Sequence, residues 1–97
     1  MMTPESKVKK KVTDLLKSLG AYYFYPVTGG FGRSGVPDIV CCLRGNFIGI
    51  ECKAGTNKPT PLQSKNLEDI QAAGGFAFIV NEDNIDALER LLKVMSE

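Results

Sequence analysis

Apolar positions recur at helical spacing in three stretches of the chain and at strand spacing between them. Val8, Val12, Leu15, Leu16 and Leu19 lie three or four residues apart, which predicts an amphipathic helix over residues 4–19. Thr3 suits its N-cap, Pro4 the first helical position, and Gly20 its close. Residues 21–27, rich in tyrosine and phenylalanine, predict a strand. A glycine-rich stretch, 29–35, separates it from two further predicted strands, 38–43 and 47–53. The tight Arg44-Gly45-Asn46 connection between those two is a β-hairpin signal. The following loop, 54–60, carries Gly55, Asn57 and Pro59. A second helix starts at Thr60 and Pro61, ends at Gly74-Gly75, and sets Leu62, Leu67, Ile70 and Ala73 on its buried side. Residues 76–80 are almost wholly apolar, as expected of a strand covered on both faces. A last helix, 83–95, places Ile85, Leu88, Leu91, Leu92 and Met95 on one side. The order α-β-β-β-α-β-α predicts an α/β fold, a mixed central sheet flanked by helices.

At 97 residues the chain has room for one domain, 1–97, and for no second core. A domain of this size buries a modest share of its surface, so dimerisation is expected. The formal net charge of +1 is well short of the strongly basic balance of many nucleic-acid binders. Positive charge is gathered early, at Lys7, Lys9, Lys10 and Lys11, and negative charge late, at Glu82, Asp83, Asp86 and Glu89. Two solvated helix faces account for both runs. The three cysteines, Cys41, Cys42 and Cys52, form no C-x-x-C pair. An odd count without a secretion signal points to a reducing compartment, the cytoplasm, and to buried thiols. Adjacent in a strand, Cys41 and Cys42 point to opposite faces. No apolar run approaches membrane-spanning length. The absence of histidine changes the picture most. It removes Ser-His and Cys-His nucleophile pairs and histidine-based zinc sites. Hydrolytic chemistry is left to carboxylates, lysine and a hard cation.

Those groups gather at one place in the predicted hairpin. Glu51 and Lys53 are two apart on a strand and share a face, while Cys52 takes the other. If Gly45 and Asn46 form the turn, Arg44 pairs with Phe47, Val40 with Glu51, and Asp38 with Lys53, bringing Asp38, Glu51 and Lys53 together. A three-residue turn without a bulge would split them. A cross-strand salt-bridge cluster at a sheet end is the plain alternative. Glu5 tips the balance towards a site. It precedes Val8 by three residues and Val12 by seven, on the apolar stripe of the first helix rather than its wet side. Magnesium favours one or two carboxylates with waters and phosphate oxygens, which suits Asp38 and Glu51. A lysine beside such an ion holds an attacking water or neutralises developing charge. The chemistry fitting this set is phosphodiester hydrolysis.

At these residues the sequence resembles the PD-(D/E)xK nuclease superfamily. Pro37-Asp38 matches the first half of its motif and Glu51-Cys52-Lys53 the second. The run from Gly32-Arg33-Ser34-Gly35-Val36-Pro37-Asp38 to Pro61-Leu62-Gln63 looks like the VRR-NUC branch, which includes small stand-alone proteins of bacteria and phages. The resemblance covers most of the chain, the last helix being its least diagnostic part. It implies a restriction-endonuclease-like core and cleavage of DNA with Mg²⁺ or Mn²⁺. By matching positions it implies Asp38 and Glu51 as metal ligands with the Cys52 main-chain carbonyl, Lys53 as catalytic lysine, Glu5 as a helix-borne acid and Gln63 as a supporting site residue. It implies a homodimer acting on branched DNA such as a Holliday junction. Cys52 departs from the usual variable position, and its thiol is free to pack inward.

Other candidates follow from charge and shape. The 29–35 stretch lacks the G-K-[S/T] ending of a P-loop and reads as a turn, with Arg33 available to a DNA phosphate. Lys58 and Lys65 flank the site in sequence and suit the same contact. Tyr22, Tyr23, Phe24 and Tyr25 read as strand core and dimer interface rather than as base-stacking groups. A nuclease acting on ordinary duplex, flap or single-stranded DNA, and a DNA-binding or assembly module that does not cut, are the alternatives to junction cleavage.

Overall fold

Local chemistry sets where the helices begin. In the computed structural model, which describes residues 2–27, 30 and 32–97, helix α1 (Pro4–Ser18) starts where Thr3 Oγ1 accepts the Ser6 N–H at 3.1 Å. Helix α2 (Pro61–Ala72) starts in a full capping box. Thr60 Oγ1 accepts the Gln63 N–H at 3.2 Å, and Gln63 Oε1 accepts the Thr60 N–H at 2.9 Å. Helix α3 (Ile85–Met95) begins two residues later than its pattern predicts. The Asn81 side chain accepts the N–H groups of Asp83 and Asn84 and holds them in a turn.

Between the helices lie β1 (Tyr22–Phe24), β2 (Ile39–Leu43), β3 (Asn46–Cys52) and β4 (Phe76–Val80). The element order is the expected α-β-β-β-α-β-α, and the sheet is mixed. Its strands run β1-β2-β3-β4, the first three antiparallel and β4 parallel to β3 after the α2 crossover. Strand β1 keeps three of the seven residues expected. Pro26, which has no N–H to donate, lies just beyond its end. Of the glycine-rich stretch, Gly29 and Phe31 lie outside the described residues.

One face of the sheet is the core. Ile39, Cys41, Leu43, Ile48, Ile50, Cys52 and Val80 pack with Val8, Val12 and Leu16 of α1 and Leu88 and Leu92 of α3. The other face carries Gly49, with Ile70 of α2 and the ring of Pro37 against it. Several apolar positions are more open than their periodicity suggests. Strand β4 is an edge, not a doubly covered strand, and Ile79 is 45% exposed. Leu62, Ala73 and Leu91 face solvent, while on α2 Leu67 is buried as expected and Asn66 is buried beside it, its Nδ2 donating to the carbonyls of Ser34 and Leu62. Cys41 is buried and Cys42 exposed, the opposed faces that adjacent strand positions require. Cys42 thus departs from the expectation that all the thiols are buried. Tyr22, Phe24 and Tyr25 are likewise exposed rather than part of the core.

Candidate active site

The hairpin turns on Arg44 and Gly45, one residue earlier than the expected Gly45-Asn46. Both have positive φ, 52° and 82°, the two left-handed positions of a type I′ turn. Asn46 is drawn into the strand, its Nδ2 donating to the Leu43 carbonyl at 3.0 Å. The ladder therefore closes on Leu43–Asn46 and runs to Ile39–Ile50. Relative to the expected register it has slid by two, so the next position beyond Ile39, Asp38, comes to Glu51 instead of Lys53. An even slide keeps every side chain on its face. Glu51 and Lys53 remain neighbours on the α2 side, and Cys52 points into the core.

At Asp38 the chain bends out of the ladder, and its carboxylate replaces the missing strand. Asp38 Oδ2 accepts the Cys52 N–H at 2.9 Å. The N–H and C=O of a strand residue point to the same neighbour, so the Cys52 carbonyl also faces the Asp38 side. Continued pairing would set residue 37 opposite it, and a proline has no N–H to donate. The Pro-Asp dipeptide thus satisfies the Cys52 N–H while offering the carbonyl no donor from Pro37.

Glu51 lies beside this corner and is 1% exposed. Neither carboxylate oxygen has a hydrogen-bond partner, although Lys53 Nζ stands 3.2 Å from Oε2 as an ion pair. Burial raises its pKa above the ordinary value, the Asp38 charge raises it further, and Lys53 pulls it partly back. Desolvation pushes the Cys52 thiol to about 12, and the charges of Asp38, Lys9, Glu51 and Glu5 all bear on it. The thiol is thus held neutral and inert. Glu5 lies partly buried on α1.

Lys9 belongs to the same corner, its Nζ 3.7 Å from Asp38 Oδ1. In the sequence it reads as one lysine of a solvated run. Its position four residues after Glu5, on the same side of the helix, is the signal that places it here. The other expected residues stand apart. Gln63 has its Oε1 committed to the α2 cap. Arg33 and Lys65 share one carboxylate, with Nη2 of Arg33 2.5 Å and Nζ of Lys65 2.6 Å from Asp69. Lys65, then Arg33, hold the Asp69 pKa below its usual value. Lys58 is exposed on the loop after Lys53.

The corner fits a hard divalent cation. Among the described residues no three His, Cys, Asp or Glu side chains gather as a ligand cage. Two carboxylates, one with both oxygens buried and unpartnered, and a backbone carbonyl suit an ion that keeps waters and takes substrate oxygens. An unsatisfied buried carboxylate is costly unless something it lacks in the bare protein joins it.

No family model matches the chain. Over 85 residues, 87% of this chain and 89% of the relative, it is 28% identical to the protein named "Putative nuclease p44" of Acyrthosiphon pisum secondary endosymbiont phage 1. A solved structure described as a VRR_NUC domain superposes with a TM-score of 0.79 at 28% identity, covering 92% of this chain and 97% of that one. Another, described as a VRR_NUC domain protein, shares the fold with a TM-score of 0.73 at 18% identity, covering 98% of this chain and 92% of that one. With Pro37-Asp38 and Glu51-Cys52-Lys53 meeting at one sheet corner, these likenesses support a VRR-NUC nuclease domain protein.

Proposed function

We propose that the protein is a Mg²⁺- or Mn²⁺-dependent endonuclease that hydrolyses DNA phosphodiesters, and that it works as a homodimer on branched DNA such as a four-way junction. The observation that carries the nuclease reading is the buried Glu51 carboxylate, without a hydrogen-bond partner at either oxygen and held by Lys53 as an ion pair, beside Asp38. Asp38, Glu51 and the Cys52 carbonyl would hold the ion, which when bound polarises the phosphoryl group and lowers the pKa of a coordinated water. Lys53, 13% exposed in its side chain, reaches from the same strand face. Its ammonium orients the attacking water or meets charge developing on the phosphate. Glu5 adds a further negative charge from α1, outside the ligand set. Gln63 fixes the start of α2, which follows the loop leaving Lys53.

Dimerisation is supported by the part of the sheet that α2 leaves open. Tyr22, Phe24 and Phe47 are exposed beside Val40 on the α2 side of β1, β2 and β3. Phe24, Val40 and Phe47 border an apolar hollow of about 510 Å³ that Arg33 and Asp69 also line. A second copy covering that face would give two sites, as paired cuts in a junction need.

Labelled duplex, flap, single-stranded and four-way-junction DNA, incubated with Mg²⁺, Mn²⁺ or EDTA, tests this reading. Symmetric paired cuts in the junction are expected with either metal, none in EDTA, and none with Lys53→Ala. Failure to cut any substrate with metal overturns the enzyme reading. Cutting confined to duplex or single strands overturns the junction reading alone.

The Asp69 ion pairs set the strength of the DNA contact. Asp69→Asn releases both Arg33 and Lys65 for phosphates, and DNA binding is expected to tighten. The slope of log affinity against log salt should steepen by up to roughly two, since each phosphate neutralised contributes about −0.9. An unchanged slope in a salt titration would remove Arg33 and Lys65 from the DNA surface.

A further inference from the structure

We infer that the centre takes a single divalent cation per protomer, because Lys9 holds a fixed positive charge on the α1 side of Asp38. This rests on the metal-dependent reading above and goes beyond it to the number of ions and the residue that sets it.

The two oxygens of Asp38 look different ways. Oδ2 is tied to the Cys52 N–H at 2.9 Å, and Oδ1 has Lys9 Nζ at 3.7 Å. Asp38 and Glu51 would hold the catalytic ion between them. A second ion shared between Asp38 and the helix-borne Glu5 would have to enter on the α1 side, where the Lys9 ammonium stands. Lys9 also has Glu5 one turn before it on α1, the usual partner for a helical lysine. Among the described residues, its ion pair is nevertheless with Asp38, across elements. Its side chain is 34% exposed, partly withdrawn from water, so its charge is screened less than that of a free surface lysine.

The charge balance agrees. Asp38, Glu51 and Glu5 together outnumber Lys9 and Lys53 by one negative charge around position 52. One divalent ion turns that into a small positive excess, suited to a phosphodiester. Two would leave a strongly positive, mutually repelling set of cations. With Lys9 removed, the bare corner gains a net negative charge and an unblocked Asp38 oxygen. Lys9 is a positioning residue in this account, acting through Asp38 rather than on the substrate.

The test is Mn²⁺ binding by the full chain without DNA, followed by calorimetry and by the electron paramagnetic resonance of free Mn²⁺. Wild type is expected to bind one ion per protomer, and Glu51→Gln to lose it. Lys9→Met is expected to bind a second ion, or the first at least about ten-fold more tightly. Lys9→Arg should restore the single-ion behaviour. Lys10→Met is the control, removing equal charge from a lysine paired with Asp14 on the exposed side of α1. Melting curves of each variant confirm that the fold is kept. Two ions in the wild type, or a Lys9→Met variant that binds as wild type does, would overturn the inference and leave the nuclease reading standing. No Mn²⁺ bound by the wild type would overturn both.

Discussion

Glu51→Gln is expected to lose at least about a hundred-fold of metal-dependent cleavage and yet to melt higher than the wild type in metal-free buffer at pH 8. The activity loss follows from its place at the centre, since even residues that only orient a metal ligand cost about 10–100-fold when removed. The gain in stability follows from burial. Both oxygens of Glu51 are buried without a hydrogen-bond partner, and its pKa is raised above 4.5, by desolvation first and by Asp38 second. A carboxyl with a raised folded-state pKa binds its proton more tightly in the native state than in the unfolded chain. Stability is then greatest below pH 4.5 and falls as pH climbs through the interval up to the raised folded value. Glutamine does not ionise and escapes that loss, and its side-chain oxygen can still accept from Lys53, whose side chain is 13% exposed.

Glutamine is itself polar, so the gain is the avoided ionisation alone, and each 1 kcal/mol of it raises the melting temperature of a domain this size by roughly 4–8 °C. The difference between wild type and variant should shrink as pH drops towards 4 and open as it rises. Mg²⁺ should raise the wild-type midpoint and leave that of the variant unmoved, because only the wild type binds it through Glu51. A variant that melts lower than wild type at pH 8, or a gap that ignores pH, would show that Glu51 is a satisfied structural carboxylate.

That behaviour was partly legible in the residues themselves. A glutamate and a lysine two apart in an apolar strand announce a shared face, and periodicity alone puts Cys52 on the other. The elements and their order follow from spacing and caps, with Thr60-Pro61 and Gln63 writing the start of α2 in side-chain chemistry. The hairpin register was not legible. Gly45 takes a left-handed conformation whether it stands first or second in the turn, and the other left-handed residue is Arg44, a type that seldom adopts it. The error was even, so faces were preserved and only the partner of Asp38 changed. Exposure at Ile79, Leu62 and Leu91 was hidden for a different reason. Strand order and the footprint of a helix are properties of the assembled sheet, and no local pattern carries them. Lys9 was hidden by its company, because a lysine among lysines on an amphipathic helix looks solvated until Asp38 is brought to it from 29 residues away.

Gly49→Val is expected to damage the site from further along the same face of the sheet. Gly49 pairs with Val40 and Ala77 in the middle of β3. A Cβ there would lie 2.6 Å from Ile70 Cδ1 and 2.9 Å from Pro37 Cγ, both inside normal contact. Overpacking of this kind costs about 1–3 kcal/mol. The two neighbours differ in what they can yield. Ile70 ends in a methyl group that can rotate aside. Pro37 is a rigid ring whose next residue is Asp38, so pushing it shifts the carboxylate that accepts the Cys52 N–H. A displacement of about 1 Å at a catalytic group can cost roughly 10²-fold in rate, so cleavage should fall further than stability. Ile70→Val removes the Cδ1 atom and separates the two effects. In a Gly49→Ala background it should recover most of the melting temperature while cleavage stays depressed, because the Pro37 contact remains. Cleavage restored together with stability would show that Gly49 gives room to α2 alone and that the place of Asp38 is set elsewhere.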